Sequence, residues 1–219
     1  STPSTMWKST KLRFSPGFLV TIALSVLAGA GAVLPAVLTA AVCHEAGHLL
    51  VLWLYHVPVE ALTISPMGAV IRAPLQDRLS YGRDLLATLA GAMVNFALAF
   101  LFARVTGEYL FAGANFILGV YNLLPIRGLD GGRALYLAVA WATEPFTAQR
   151  VCHLVNLITL ALLLSLVAGL VWETGGGMLF LLAVLGMALA QVRPVLAERR
   201  RGRGRNFRVA KPGKSGYNT

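Results

Sequence analysis

An all-α polytopic membrane protein, with about six transmembrane helices and a short β-hairpin on the cytoplasmic side, is the fold class this sequence predicts. Three observations carry it. Of 219 residues, 57% are hydrophobic and 13% charged, where a soluble domain holds about a quarter charged, and the mean hydropathy is +0.69. The apolar residues fall in runs long enough to cross a bilayer, which takes about 20 residues in a helix. The basic residues gather at alternate ends of those runs, as orientation signals do. An ordinary soluble enzyme is excluded, and too little chain remains outside the runs for a second globular domain.

The opening segment to Ser15 carries Lys8, Lys11 and Arg13 ahead of an apolar stretch, like the charged start of a signal peptide. The stretch from Phe14 to His56 is too long for that and holds two spans, with a turn at Gly29 to Pro35. Spans are expected near residues 15–34, 36–56, 84–104, 112–127, 150–171 and 177–193. With the N-terminus inside, every Lys and Arg except Arg104 falls on the cytoplasmic side, so both termini are expected to be cytoplasmic. The outer connections are short, marked by Glu108 and by Glu173 with the glycines after it.

Between the second and third spans, Leu62 and Ile64 alternate with Thr63 and Ser65 before a turn at Pro66 to Gly68, which predicts the hairpin. An exposed strand edge offers backbone pairing to an extended peptide; the alternative is a loop that covers the cytoplasmic face. The domain reading is a membrane-embedded unit over 1–193, with its core at about 36–133, and a basic, disordered cytoplasmic tail over 194–219. Nine of the 19 Lys and Arg residues lie from Arg193 onward, and the net charge is +10. Such a tail is drawn to anionic lipid; nucleic acid is not expected, because only Phe207 and Tyr217 interleave with the charges. Cys43 and Cys152 are too few for a disulfide framework or a four-cysteine zinc site.

The chemistry concentrates in the second span, which contains His44-Glu45-Ala46-Gly47-His48. Ionisable groups inside an apolar helix are costly and need a reason. Residues four apart share a helix face, so both imidazoles can grip one metal, while Glu45, one position round, can take a proton from water. That is the geometry of a zinc hydrolase; the alternative is a chance pattern whose polar groups are satisfied by neighbouring helices. A catalytic zinc wants a third protein ligand, and among nine acids Asp130 stands out. It lies in Asn122-Leu-Leu-Pro125-Ile-Arg-Gly-Leu129-Asp130-Gly131-Gly132, where proline and glycines break the fourth span and turn backbone inward. The alternative for Asp130 is a helix-end cap or a surface acid.

HEAGH followed by NLLPIRGLDGG resembles the site-2 protease family of intramembrane zinc metalloproteases. The resemblance implies a three-helix core that holds one zinc per chain through His44, His48 and Asp130, with Glu45 as general base. The reaction implied is hydrolysis of a peptide bond in or near a membrane helix of a membrane-anchored substrate, that is, regulated intramembrane proteolysis. The family's glycine-to-asparagine motif is matched by Gly91-Ala-Met-Val-Asn95, with Ala92 where members often have proline. Ala87, Gly91 and Asn95 share one helix face, which permits close helix approach. Asn95 or Asn122 is a candidate to donate a hydrogen bond to the substrate carbonyl or oxyanion; the alternative for Asn95 is interhelical glue.

The six-span form with little extramembrane mass is similar to the sporulation proteases, which implies a prokaryotic cell membrane. This chain has no room for a PDZ domain or a ligand-sensing CBS module, so regulation would fall to a separate membrane protein. His56 and His153 read as structural residues near helix ends. The competing function is a zinc or other metal-ion transporter using the same His/Asp cluster, though a transport path wants polar groups along several spans. An aspartyl protease lacks its second intramembrane aspartate, and Ser165 and His153 lie too far apart in one span to form a serine protease pair.

Overall fold

The computed structural model describes residues 11–14, 29–65, 68–72 and 79–174, with isolated positions at 22, 26, 27, 185 and 186. The expected spans at 15–34 and 177–193 lie largely outside the described residues, as does the whole tail at 194–219. In chain order the elements are strand β1 (Lys11–Phe14), a 3-10 turn (Ala30–Ala32), helix α1 (Leu34–Leu54), strands β2 (Ala61–Ser65) and β3 (Gly68–Arg72), then helices α2 (Tyr81–Leu101), α3 (Tyr109–Asn122), α4 (Asp130–Ala142) and α5 (Pro145–Thr174). The chain divides into two compact units, Ser1–Leu157 and Ile158–Thr219, and the site described below belongs to the first.

Among the described residues three helices are long and apolar enough to cross a membrane: Leu34–Leu54, Tyr81–Thr106, which adds a π-helical turn to α2, and Pro145–Thr174. The chain is a membrane protein, mostly helical. The fourth expected span differs. At 14 residues α3 rises only about 21 Å, short of a hydrocarbon core of about 30 Å. It stops at Asn122 because the chain turns at Leu123–Leu129, and a new helix, α4, starts at Asp130. The run 112–127 had joined a helix to its terminating turn, and the glycines at 131 and 132 had hidden the start of the next.

Helix α1 begins after Gly29, which takes a positive φ of 81°, and has Pro35 in its first turn, where its missing N–H costs nothing. It ends at His56, whose φ of 56° places it in the left-handed region, with the Val57 N–H bonded to the Leu52 carbonyl at 2.9 Å. The exposed His56 is thus the stop of α1. The stop folds Val57 and Val59 onto Leu52 and Ala87, with Ile71 of β3 packed against the same cluster.

The two expected strands are antiparallel, Ala61 opposite Arg72 and Ser65 opposite Gly68. A third strand joins them: β1 pairs in parallel with β2, Lys11 opposite Ala61 and Phe14 opposite Ile64. The segment Lys-Leu-Arg-Phe alternates with period two, but its charges had been read only as an orientation signal. The order β1-β2-β3 puts β2 in the middle, paired on both sides.

Candidate metal centre

Two helices build most of the site. Helices α1 and α2 cross closely at Gly47, where a Cβ would lie 2.8 Å from the Ala90 carbonyl oxygen and 2.9 Å from Val94 Cγ2. Small residues at such a crossing let backbones approach. The approach buries His44 and His48, leaving them 4% and 8% exposed. Their partners come from the α2 face that carries Ala87, Gly91 and Asn95. His48 Nδ1–H donates to the Ala87 carbonyl at 2.8 Å, and His44 Nδ1–H donates to Asn95 Oδ1 at 2.5 Å. Gly91 clears the space between: a Cβ there would lie 2.7 Å from His44 Nε2 and Cε1 and collide with His48 Nε2.

With both Nδ1 atoms donating, both Nε2 atoms present bare lone pairs to one point. They lie 3.1 Å apart, and Asp130 Oδ2 lies 3.0 Å from His44 Nε2 and 3.1 Å from His48 Nε2. Three acceptors facing one another in a buried pocket demand a positive charge at their centre. The separations are compatible with a metal ion: tetrahedral zinc with donors at about 2.0–2.2 Å would hold them roughly 3.3 Å apart. The outward hydrogen bonds to a backbone carbonyl and an amide oxygen are also the kind that orient metal-binding imidazoles. The cluster of His44, His48 and Asp130 is the one group of its kind among the described residues suited to hold a metal ion.

Asp130 reaches the pocket by a different route. Leu129 is extended and Asp130 opens α4, so the carboxylate sits at the positive end of a helix dipole. The turn before it has Gly128 at a φ of 100°, Ile126 fully buried, and the Arg127 N–H donating to Asn156 Oδ1 at 2.7 Å. A Cβ on Gly131 would strike the Leu123 carbonyl, and one on Gly132 the Ile126 carbonyl, so the turn folds directly over the start of α4. One helical turn on, Arg133 forms a 2.8 Å ion pair with the buried Asp84 of α2, which ties α4 to the helix behind the histidines. Burial pushes the Asp130 carboxyl up, but hydrogen bonding with the His44 and His48 rings outweighs it and holds the group below the ordinary carboxylate range. A proton on one ring and a metal ion therefore compete for the same place.

The structure brings His44, His48, Asp130 and Asn95 together. Both Nδ2 hydrogens of Asn95 are engaged, with Asn115 Oδ1 at 2.9 Å and the Ala40 carbonyl at 3.3 Å, so in this arrangement it has no donor to offer a substrate. Asn122 donates one hydrogen to the Leu118 carbonyl of its own helix at 3.1 Å. Glu45 is half-buried on α1. Sequence reasoning missed Asn115, fully buried in α3, together with Asn156 and the Asp84–Arg133 pair. The signal for Asn115 was present: an amide in an apolar run, four residues before Gly119, needs a partner in a membrane.

The model of peptidase family M50 matches residues 108–166. A zinc metalloprotease of Methanocaldococcus jannaschii is 30% identical over 105 residues, which make up 43% of this chain and 30% of that protein. The chain thus spans less than a third of the length of that curated relative. The solved structure of a site-2 protease from Methanocaldococcus jannaschii superposes with a TM-score of 0.63 over 96% of both chains, at 21% identity, a likeness of fold.

Proposed function

We propose that this chain belongs to the site-2 protease family, to which the comparisons liken it, and that it is an intramembrane zinc metalloprotease hydrolysing a peptide bond in or near a transmembrane segment of a membrane-anchored protein. The observation that carries this is the convergence of two imidazole lone pairs and a carboxylate oxygen within 3.1 Å of one another in a buried pocket. His44, His48 and Asp130 would hold one zinc per chain. When bound, zinc supplies Lewis-acid chemistry, activating water and stabilising the charge that develops on the carbonyl oxygen.

The chain's own residues do the rest. Glu45 accepts a proton from the attacking water at its carboxylate as the new C–O bond forms, then returns it to the leaving amide nitrogen as the C–N bond breaks. Asn95 holds His44 in place rather than touching substrate. Asn122 keeps a second Nδ2 hydrogen beyond the one given to Leu118, and it adjoins Leu123, whose carbonyl packs on Gly131, so it is the better candidate to donate to the substrate carbonyl. The substrate would lie extended along the outer edge of β3, since β2 has partners on both sides. Ile71 ties that strand to the cluster that includes Ala87, the partner of His48.

The distribution of Lys and Arg supports both termini on the cytoplasmic side, with the basic C-terminal segment attracted to anionic lipid. A separate regulatory membrane protein remains part of the reading. The transporter alternative finds no second metal-suited cluster among the described residues to form a path.

The test is cleavage of a membrane-anchored reporter by the purified protein in vesicles. Glu45→Gln should lower turnover by about 100-fold or more while zinc stays bound. Cleavage that survives in Glu45→Gln contradicts the assigned role.

A further inference from the structure

A file of hydrogen bonds runs from α3 to the metal pocket, and each of its members fixes the direction of the next. At its far end is the Phe111 carbonyl, which can only accept. Asn115 Nδ2 donates to it at 2.9 Å, so Asn115 Oδ1 is turned the other way. That oxygen accepts from Asn95 Nδ2 at 2.9 Å, while the second Nδ2 hydrogen of Asn95 goes to the Ala40 carbonyl at a longer 3.3 Å. Asn95 Oδ1 is thereby turned to His44 Nδ1. An amide oxygen can only accept, so the ring hydrogen of His44 must sit on Nδ1, and Nε2 is left bare toward the pocket.

We infer that Asn115, on a helix that contributes no ligand, is a positioning residue for the metal: it fixes the orientation of the Asn95 amide and, through it, the tautomer of His44. The inference rests on the zinc reading above. Asn95 and Asn115 are both 0% exposed, so bulk water cannot stand in for either. If the Asn95 amide turned over, its oxygen would face two acceptors, Asn115 Oδ1 and the Ala40 carbonyl. Its Nδ2 would face His44 Nδ1 and drive the ring hydrogen onto Nε2, into the place the ion must occupy. The Ala40 contact resists this turn alone once Asn115 is gone, and it is the longer of the two.

The test is zinc affinity of the purified full chain, measured by competition with a chromophoric chelator. Asn115→Leu, close in volume and without polar atoms, should weaken zinc about tenfold, the lower end of what groups behind a metal ligand contribute. In an Asn95→Asp background the same change should cost about twofold or less, because a carboxylate presents an acceptor to His44 whichever way it turns. Unchanged affinity in Asn115→Leu, or the same loss in both backgrounds, overturns the inference and leaves Asn115 a packing residue. A wild type that takes up no zinc overturns the zinc reading itself. If Asn115→Leu does not fold, the 15N spectrum of labelled histidine in the zinc-loaded wild type decides: hydrogen on Nδ1 and metal on Nε2 of His44 is expected, and the reverse contradicts.

Discussion

The two halves of the candidate metal pocket are built by opposite means. The histidine half is a helix crossing, in which every support comes at i+4 spacing: His44 and His48 on α1 answer Ala87, Gly91 and Asn95 on α2. The aspartate half is an irregular turn, in which Asp130 is placed by backbone approach at Gly131 and Gly132 and by one ion pair. The histidines are almost fully enclosed, whereas the Asp130 side chain is 23% exposed. The crossing is set by periodicity and close packing; the turn is set by contacts that involve few side chains. The first half is a template fixed by helix packing, and the second completes it from a turn in which backbone lies directly on backbone.

Breaking the template should have the largest effect. In Gly91→Ala the new methyl would press on both imidazoles, and the crossing could accept it only by separating α1 from α2. Zinc affinity should fall about 100-fold or more, the top of the range for groups that orient a ligand, with a stability cost of about 1–3 kcal/mol from overpacking. Chelator competition and thermal unfolding of the same sample would measure both.

Breaking the turn should be milder. Gly131→Ala displaces Asp130 by forcing its helix off the Leu123 carbonyl, yet leaves the two-histidine template intact. A loss of about tenfold in zinc affinity is expected, with residual binding that disappears when His44→Ala is added. A Gly131→Ala variant weaker than Gly91→Ala would reverse the proposed order of the two halves.

Acid should also separate them. Ligands bind only when unprotonated, so affinity falls as pH is lowered. Asp130 is held below the ordinary carboxylate range, so its oxygen stays charged to lower pH than an ordinary carboxylate's would. Zinc release near neutral pH should therefore leave Asp130 unprotonated, read by the infrared absorption of its carboxylate. Uptake of a proton by Asp130 over the same pH range would contradict this.

The smallest effect is expected at the tie between the halves. Arg133→Met removes an ion-pair partner of buried Asp84, but Arg133 itself is 42% exposed. Solvent screening limits the loss to about 1–2 kcal/mol of stability, with zinc affinity changed about threefold or less.

How much could be read in advance follows the same division. The pair of histidines and the small face of α2 were legible because helical spacing puts residues four apart on one side, whatever else the chain does. What that face was for was less legible: Asn95 was read as interhelical glue or as a donor to substrate, and its hydrogen bonds to His44 and the Ala40 carbonyl of α1 and to Asn115 of α3 join helices, as the first of these has it. Asp130 was singled out by composition, as one of few acids beside a helix break. The start of α4 at that residue was hidden, because Gly131 and Gly132 read as a break, and their close approach to Leu123 and Ile126 exists only in three dimensions. Asn115 and strand β1 were missed for a related reason. Each depends on a partner distant in sequence, Asn95 in one case and the Ala61–Ile64 strand in the other.

The most direct test of the whole account needs no substrate: the metal content of the detergent-purified protein by elemental mass spectrometry, wild type beside Asp130→Ala. The account predicts one zinc per chain in the wild type, lost or much weakened in the variant. A well-folded wild type that holds no zinc even after it is added back would contradict the metal centre. Zinc indifferent to Asp130→Ala would contradict the joining of its two halves.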